Sequence, residues 1–454
     1  MEPLRGEEAP PRGEAGGPIV SRSVEVPAPS VRAALGRAET PRVLWTAPDE
    51  PTVVGSGTAT AITATGEDRF AEVRAGADAL FSAGDVHAGA IAARPRLFGG
   101  LAFHDDHSGD PPWEGFPGAL FVLPEVQVTY AAGDPPDAGT AWLTVNAVGP
   151  DASPSSVEER IERERAALRD LPEPGPPAGP PGVTNRERTT SLADWRDSVN
   201  AAVDRIHDGE LRKVVLAQAL RATLDAPLSV PDVLSRLGDR YPDCYRFLVE
   251  PAGGGSFFGA TPERLVSLRG RTVETGALAG TTGRGDTPEE DEWLARELFD
   301  DPKNTHEHEL VADAIRDQLE PFASSVATGS RRVRRLATVQ HLETPITAEL
   351  AEDEHVLTLV EALHPTPAVG GLPPDRALST IRETERFDRG WYAAPVGWFD
   401  ATGYGSFAVA LRSAVASEDV ATLFAGVGIV ADSDPDREWD EVDLKYRPVL
   451  DELE

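Results

Sequence analysis

Two carboxylates and an amine fall at helical spacing near the C-terminal end of the sequence. Glu438, Glu441 and Lys445 occupy positions i, i+3 and i+7, so a helix that begins near residue 434 presents all three on one face. An ordinary surface stripe with one Glu–Lys pair would have the same spacing. The preceding residues 425–429 read as an apolar strand interrupted by glycines, and glycine permits close approach of a ligand to the backbone. The combination favours a binding site beside this helix.

A third carboxylate, Glu307, lies near the start of another predicted helix, about Asn304–Leu319. A negative charge in a first helical turn is favourable to the helix dipole, and this alone would explain the residue. Together with Glu438 and Glu441, however, Glu307 would complete an oxygen-rich site for a hard cation. Mg²⁺ prefers carboxylates combined with water and substrate oxygens, so the substrate would be an anion.

Two further residues are candidates for proton transfer. Lys213 begins a predicted strand, Arg212–Leu224, whose alternate residues are apolar; partial desolvation would lower its pKa and make it a general base. Glu263 lies in a turn just before another strand and would be a general acid if its pKa is raised. The alternatives are a lysine that reaches solvent and a loop carboxylate paired with Arg264.

Lysine is scarce in this chain and occurs only at Lys213, Lys303 and Lys445, whereas arginine supplies the other cations. Arginine does not lose its proton in practice, but a buried lysine can, so the few lysines are candidates for chemistry that arginine cannot do. The stretch 279–283 offers backbone N–H groups suited to an anion. It is too short for a P-loop and lacks the P-loop lysine, so it does not predict nucleotide binding.

The elements that must hold these residues are strands in series followed by pairs of helices, which indicate an α+β fold with large antiparallel sheets. A charged helix is predicted at Ser155–Arg169, a Pro/Gly-rich linker at Leu171–Gly182, and a helix capped by Ser191 with Asp194 three residues on. Further strands are predicted at Ala119–Val128, Tyr245–Glu250, Arg264–Leu268, Thr272–Glu274, Gly390–Asp400, Gly405–Val415 and Ala421–Val430, and further helices begin at Thr287-Pro288 and Asp434-Pro435.

The predicted organisation has three parts. Residues 1–17 form a disordered tail, residues 18–185 form an N-terminal α/β part that ends in the linker, and residues 186–454 form the catalytic region, in one compact unit with the N-terminal part. A chain of 454 residues is long enough for one large core or two ordinary domains.

Composition excludes several classes of protein. The net charge of −33 argues against nucleic-acid binding, which needs a basic surface. No apolar run approaches a membrane span, and the N-terminus lacks the layout of a signal peptide, so we expect a cytoplasmic protein without membrane partners. The single cysteine, Cys244, allows neither an intrachain disulfide nor a thiolate metal cluster. An acidic surface that avoids lysine is typical of adaptation to high salt.

The order and spacing of the motifs resemble the chorismate-binding region of isochorismate synthases, within the chorismate-utilising enzymes. The match covers roughly residues 190–450, and its motifs lie at 211–217, 259–264, 274–281, 303–308, 364–371, 392–398 and 438–445. The resemblance implies a fold of large antiparallel sheets packed as a sandwich with helices on the outside.

The resemblance also implies roles. Lys213 matches the general base that activates the water attacking C2 of chorismate, and Glu263 matches the general acid that protonates the departing C4 hydroxyl. Glu307 and Glu441 match ligands of Mg²⁺, with Glu438 holding a metal-bound water.

Other motif positions match contacts with the substrate. Arg412 and Tyr392 match the residues that hold the pyruvyl carboxylate, a task suited to the planar guanidinium fork. The remaining substrate-binding positions are Gly280, Thr281, His341, Ala368, Gly426 and Lys445.

The subtype follows from two positions. Ammonia-using relatives, the anthranilate and aminodeoxychorismate synthases, generally carry another residue where Lys213 stands, and salicylate synthases tend to carry Thr where Ala368 stands. We therefore expect a reversible, Mg²⁺-dependent isochorismate synthase for menaquinone biosynthesis that acts on chorismate as a monomer or weak homodimer. Those relatives, and a non-catalytic chorismate-binding subunit, remain the alternatives. Gln218 and Gly276 depart from the pattern, where Arg and Glu are common.

Overall fold

Most apolar runs of the sequence form β-strands in the computed structural model, which describes residues 17–131 and 139–454. The predicted disordered tail, residues 1–17, lies outside the described residues except for Gly17. The predicted linker, Leu171–Gly182, has no regular secondary structure, and its prolines and glycines explain why.

Within the described ranges the chain forms 23 strands and ten α-helices. The strands are β1 Ile19–Pro27, β2 Arg42–Thr46, β3 Thr52–Ser56, β4 Thr60–Ala64, β5 Asp85–His87, β6 Arg96–Leu101, β7 Ala119–Leu123, β8 Val126–Tyr130, β9 Thr140–Val148, β10 Val183–Arg188, β11 Lys213–Leu224, β12 Tyr245–Glu250, β13 Ser256–Thr261, β14 Arg264–Arg269, β15 Thr272–Gly283, β16 Ala323–Thr328, β17 Arg332–Arg335, β18 Val339–Leu350, β19 Gly371–Leu372, β20 Pro395–Asp400, β21 Gly405–Val409, β22 Ser413–Ser417 and β23 Val420–Ile429. The helices are α1 Val31–Arg37, α2 Arg69–Phe81, α3 Pro154–Arg169, α4 Leu192–His207, α5 Val230–Arg240, α6 Pro288–Asp300, α7 Pro302–Leu319, α8 Val356–Leu363, α9 Pro374–Thr384 and α10 Pro435–Leu450.

The strands build two large sheets. The larger has 13 strands in the order β10-β11-β23-β22-β13-β12-β2-β3-β8-β9-β1-β5, with β19 beside β11; the smaller has ten in the order β16-β18-β15-β14-β21-β20-β6-β7-β4, with β17 beside β18. The described pairings are antiparallel except that of β1 with β5. The α+β class with large antiparallel sheets, predicted from the sequence, is confirmed.

Each sheet contains strands from both sides of the predicted boundary at residue 185. In the larger sheet β2 pairs with β12, and in the smaller sheet β6 pairs with β20. Indole groups of both sheets, from Trp45 and Trp398, donate to the same buried carboxylate of Glu50, at 3.1 and 3.3 Å. The division into the three parts given above stays a prediction.

Three of the predicted strand spans are wrong because the chain changes sheets or turns within them. Ala119–Val128 is two strands, β7 in the smaller sheet and β8 in the larger. Gly405–Val415 likewise splits into β21 and β22, with a break at Arg412, whose φ is 49°. The span Gly390–Asp400 begins as a strand only at Pro395. Apolar periodicity continues through such short crossings, so it does not reveal them.

The helices lie against the two sheets. α1, α3, α4, α5, α9 and α10 contact strands of the larger sheet, and α2, α6, α7 and α8 contact strands of the smaller one. The predicted cap of α4 is present, since the Ser191 hydroxyl accepts from the backbone N–H of Asp194. Among the described helices, none is long and apolar enough to cross a membrane.

Candidate active site

The structure brings all thirteen site residues predicted from the sequence to one cavity of about 250 Å³. They are Lys213, Glu263, Gly280, Thr281, Glu307, His341, Ala368, Tyr392, Arg412, Gly426, Glu438, Glu441 and Lys445. The cavity lies where β11 and β23 of the larger sheet meet β15 of the smaller sheet and the helices α7 and α10. Proximity is thereby established, whereas the role of each residue stays a prediction.

Lys213 opens β11 and turns its side chain inward, where only 3% of it is exposed. Its Nζ lies 2.6 Å from Oε1 of Glu307, on the second turn of α7. Burial alone would raise the pKa of the Glu307 carboxyl, but the charge and hydrogen bond of Lys213, with the charges of Lys445 and Lys303, outweigh it and lower that pKa. The ion pair therefore holds Glu307 ionised inside the protein.

The glycines of β23 make room for this ion pair. Val215 of β11 pairs with Gly428, and a Cβ atom at Gly428 would stand 2.8 Å from Cε and 3.2 Å from Nζ of Lys213. The same atom would lie 3.3 Å from Oε1 of Glu307. The glycine in this strand thus permits a close approach to the backbone, as the sequence pattern indicated, but the groups that approach it are the side chains of Lys213 and Glu307.

Helix α10 contributes the carboxylates and amine predicted to share one face. Lys445 Nζ lies 2.9 Å from Oε1 of Glu441 and donates to the backbone oxygen of Gly426 at 2.9 Å. Burial, reinforced by the like charge of Glu441, raises the pKa of Glu438 to about 7 despite a hydrogen bond from Ser433 and two nearby lysines. The two carboxyl groups of α10 therefore lie close enough for the charge of one to disfavour ionisation of the other.

Glu263 lies in the two-residue crossing from β13 in the larger sheet to β14 in the smaller sheet. Burial raises the pKa of its carboxyl to about 7, against the opposing charges of Lys213, Lys445 and Arg412. Arg264 does not neutralise it, because that guanidinium binds Glu274 at 2.5 Å and the hydroxyl of Tyr245 at 2.6 Å. A neutral carboxyl able to donate a proton is the expected state below pH 7.

Arg412 is the last residue of the return crossing, from β21 to β22, and is only 9% exposed. Its Nη2 donates to Nε2 of His341 at 3.0 Å, and Nδ1 of His341 lies 3.0 Å from the Thr281 hydroxyl. Burial and the charge of Arg412 hold the pKa of His341 well below its usual range, so the ring is neutral and Nε2 accepts. Within the described part of the chain, Nη1 of Arg412 is buried without a hydrogen-bond partner, which suits an anionic ligand.

The ring of Tyr392 packs on one end of a stack of aromatic rings. Its ring lies 5.3 Å from that of Phe424 on β23, which in turn lies 5.2 Å from Trp113. The indole of Trp113 donates to the backbone oxygen of Asp388 at 3.1 Å, and Gly390 (φ 51°) passes so close that a Cβ atom would stand 2.2 Å from the indole ring. A loop of the N-terminal part thus supports a predicted substrate contact.

The predicted metal ligands share the cavity but do not form a ready-made cluster. Over residues 17–131 and 139–454, no three His, Cys, Asp or Glu side chains are grouped as a metal site. Glu307 and Glu441 each bind a lysine instead, while burial and, to a smaller extent, the like charge of Glu441 raise the pKa of Glu438. A divalent cation would relieve that repulsion, so the donor set fits a hard cation chemically.

Sequence reasoning missed some residues that also line the cavity, namely Asn304, Arg389, Phe424 and Gly428, and left the role of Lys303 open. Lys303 lies 3.0 Å from Asp432 at the entry to α10, so all three lysines of the chain line this cavity. The scarcity of lysine was the signal that could have placed Lys303 here. Gly428 had a signal in the interrupted strand, whereas no local pattern marks Arg389 or Phe424.

Comparisons with known proteins agree on one family. The model of the family described as chorismate binding enzyme matches residues 13–454. The chain is 38% identical over 422 residues to the salicylate biosynthesis isochorismate synthase of Pseudomonas aeruginosa, covering 91% of this chain and 85% of that protein. It is 37% identical over 366 residues to the isochorismate synthase MenF of Bacillus subtilis, covering 80% and 75%. The solved structure of MenF, the menaquinone-specific isochorismate synthase of Escherichia coli, superposes with a TM-score of 0.79 at 27% identity, covering 96% and 95%.

Proposed function

Because the chain belongs to the family of chorismate-binding enzymes, we propose that it is an isochorismate synthase, an isomerase that converts chorismate reversibly to isochorismate. One observation carries the proposal: Lys213 and Glu263 line the same cavity as three further carboxyl groups and the buried guanidinium of Arg412, whose Nη1 has no hydrogen-bond partner among the described residues. That set provides a proton acceptor, a proton donor and anion-binding groups for a substrate that bears two carboxylates.

In the proposed reaction a water oxygen bonds to C2 of the ring, the two conjugated double bonds shift, and the C4–oxygen bond breaks. Lys213 takes a proton from the attacking water, and Glu263 gives its proton to the departing C4 hydroxyl, which leaves as water. A carboxyl with a pKa of about 7 is suited to this task, because it is protonated yet still a usable acid near neutral pH.

Lys213 must be uncharged to accept that proton. Its Nζ contacts the Glu307 carboxylate at 2.6 Å, so Lys213 is free to take a proton from water only when Glu307 engages another partner. The pairing keeps the buried lysine and carboxylate neutralised when no substrate is present.

Enzymes of this family generally depend on a divalent metal. We assign Mg²⁺ to Glu307 and Glu441, with Glu438 completing the set of oxygen donors; when bound, the ion would polarise and orient the ring carboxylate. Arg412 and Tyr392 would hold the pyruvyl carboxylate.

We also propose a pathway that uses the product and a cellular location for the enzyme. Similarity to the menaquinone-specific enzyme over 96% of the chain supports menaquinone biosynthesis, although the relative named for salicylate biosynthesis is equally similar in sequence. Restoration of growth in a bacterium that lacks its menaquinone-specific isochorismate synthase, but not in one that lacks its siderophore-specific enzyme, would support the assignment. The proposal includes a cytoplasmic location and a monomer or weak homodimer.

Product analysis tests the reaction itself. The purified protein with chorismate and Mg²⁺ in H₂¹⁸O should give isochorismate labelled at C2, and EDTA should stop its formation. Salicylate with pyruvate, or an aminated product when ammonia is added, would replace the proposal with one of the other family activities. Binding of chorismate without any turnover would indicate a non-catalytic subunit.

The Lys213→Ala variant tests the proposed base. It should form no measurable isochorismate while still binding chorismate, since the base acts in the transition state. Arg212→Ala is the matched control, because Arg212 precedes Lys213 in the chain and is exposed. Turnover of Lys213→Ala at the rate of the control would remove Lys213 from the mechanism.

A further inference from the structure

We propose that the buried ion pair between Glu385 and Arg389 positions the strand that carries Lys213, and that both are positioning residues for the isomerisation. The inference rests on the proposed function for its kinetic part and on geometry for the rest. The two side chains are 4% and 1% exposed, and Nη2 of Arg389 lies 2.6 Å from Oε1 of Glu385. A second contact joins Nε of Arg389 to Oε2 of Glu385 at 2.8 Å, so the pair is bidentate.

The pair fills a gap in the edge of β11. Within the described residues, β19 pairs only with Lys213 and Val214, and β10 pairs only with residues 220–224, so residues 215–219 have no strand partner on that side. The Glu385 carboxylate accepts from the backbone N–H of Ala217 at 2.8 Å, and Arg389 donates to the backbone oxygen of Val215 at 2.8 Å. Two side chains thereby make the hydrogen bonds that a neighbouring strand would make.

The same pair reaches two other walls of the cavity. Nη1 of Arg389 donates to the backbone oxygen of Val369, beside Ala368, at 2.9 Å. The backbone oxygen of Arg389 accepts from the N–H of Tyr392 at 2.8 Å. The guanidinium therefore joins the segments that carry the proposed base and Ala368, and the backbone of the same residue joins them to Tyr392.

A buried ion pair is a poor choice for stability alone. Apolar side chains of similar volume commonly give equal or greater stability, because they avoid the desolvation of two charges. An apolar pair could not, however, donate to Val215 and accept from Ala217, so it would release the edge of β11 just beyond Lys213. A small displacement of a reacting group is enough to slow catalysis greatly.

The decisive variant is the double substitution Glu385→Leu with Arg389→Met. We expect a folded protein with a lower unfolding midpoint, because backbone groups of Val215, Ala217 and Val369 lose their hydrogen-bond partners. At a temperature where the variant is folded, kcat should fall at least tenfold and KM should stay within threefold, since the residues assigned to substrate binding stay. Glu385→Gln should keep kcat within threefold, because its amide oxygen still accepts from Ala217. An unchanged kcat in the folded double variant would overturn the inference.

Two controls separate positioning from stability. Arg236→Met with Glu452→Leu removes another largely buried ion pair, joined at 2.6 Å between α5 and the C-terminus and not among the residues lining the cavity, and should leave kcat unchanged. If the Glu385/Arg389 double variant does not fold, Arg389→Lys decides, because lysine cannot bridge the carboxylate and both carbonyls. A tenfold lower kcat at unchanged KM supports positioning there, and a parental kcat contradicts it.

Hydrogen exchange gives a readout that is independent of activity. In the double variant the amide of Ala217 should exchange at least tenfold faster, while the amide of Leu216, which faces β23, stays protected. If the parent makes no isochorismate but this exchange pattern appears, the proposed function fails while the positioning of β11 stands. Unchanged exchange at Ala217 would overturn the positioning itself.

Discussion

At the scale of single residues, the pKa values of two glutamates in one cavity are shifted in opposite directions: that of Glu307 is lowered and that of Glu263 is raised. Glu307 is ionised because Lys213 contacts it and outweighs burial, whereas Lys213, Lys445 and Arg412 act on Glu263 only from a distance and burial prevails. The difference between a contact at 2.6 Å and a remote charge therefore decides which carboxyl holds a proton at neutral pH. This division suits Glu307 for binding a cation and Glu263 for donating a proton.

Glu263→Gln should stabilise the fold at high pH. Burial raises the folded-state pKa of Glu263 from 4.5 to about 7, so its contribution to stability is complete below pH 4.5 and is lost as pH rises through 7. Glutamine carries no charge to bury, so the variant should exceed the parent in free energy of unfolding by about 3 kcal/mol at pH 8, and by less than about 1 kcal/mol at pH 5. Urea unfolding followed by tryptophan fluorescence measures both differences.

The matched control is Glu158→Gln, which removes the same charge from an exposed position on α3. Its stability relative to the parent should change little between pH 5 and pH 8. If Glu263→Gln gave the same difference at both pH values, the Glu263 carboxyl would not be titrating in this range and would lose its role as a neutral acid.

In the absence of substrate, the Glu441→Gln variant should bind Mg²⁺ more weakly than the parent. Since replacing mere hydrogen-bond partners of metal ligands costs about 10–100-fold in affinity, loss of a ligand should cost at least about 100-fold. Mg²⁺ should raise the melting temperature of the parent by mass action, and the titration should move to correspondingly higher concentrations in the variant. Asp440→Asn is the control, because it removes a charge from the adjacent, exposed position. Identical titrations for the two variants would place the cation elsewhere.

At the scale of elements, the starts of helices could be predicted from the sequence more accurately than the ends of strands. The capped helices α4, α6 and α10 begin where Ser191, Thr287 and Asp434 indicated, because a cap acts locally. The turn at Glu263 was predicted, but not that it crosses from one sheet to the other, and the crossing at Arg412 was missed altogether. The partner strands that define both crossings lie far away in the chain, so periodicity does not show them. For the same reason no local pattern revealed the Glu385–Arg389 pair, whose partners lie on β11.

Gly428→Ala should separate folding from function in β23. The added Cβ atom would stand 2.8 Å from Cε of Lys213, the far part of a flexible side chain, so the side chain can move aside at small cost. We expect stability within about 1 kcal/mol of the parent, because alanine also reduces the entropy of the unfolded chain. Turnover should fall at least about tenfold, since the Lys213 amine is displaced from its productive position. Urea unfolding and product formation measure the two effects.

Gly36→Ala is the matched control for this prediction. Gly36 is exposed on α1, away from the cavity, and a Cβ atom there meets nothing within 4 Å, so stability should not fall and turnover should stay near that of the parent. A fully active Gly428→Ala variant would mean that the position of the Lys213 side chain in the structure is not the one used in catalysis.

At the scale of the whole molecule, the distribution of charge follows two different demands. The three lysines of the chain all line the active-site cavity, whereas arginines form the ion pairs over the surface. Acidic residues outnumber basic ones, 76 to 43, so the surface carries a large uncompensated negative charge. The interior needs an amine that can lose its proton, and the exterior needs only solubility.

Salt should therefore stabilise this protein. Raising KCl from 0.1 to 1 M shortens the Debye length from about 10 to about 3 Å and screens the self-repulsion of a chain with a net charge of −33. The same salt weakens exposed pairs such as Arg196–Asp436, but each of these contributes only about 0–1 kcal/mol. The urea midpoint at pH 7.5 should rise with KCl, and the rise should shrink at pH 5, which is nearer the pI of about 4.6 and where the net negative charge is much smaller. An equal rise at both pH values would assign the effect to general salting-out, and a fall at pH 7.5 would show that the arginine ion pairs outweigh the repulsion.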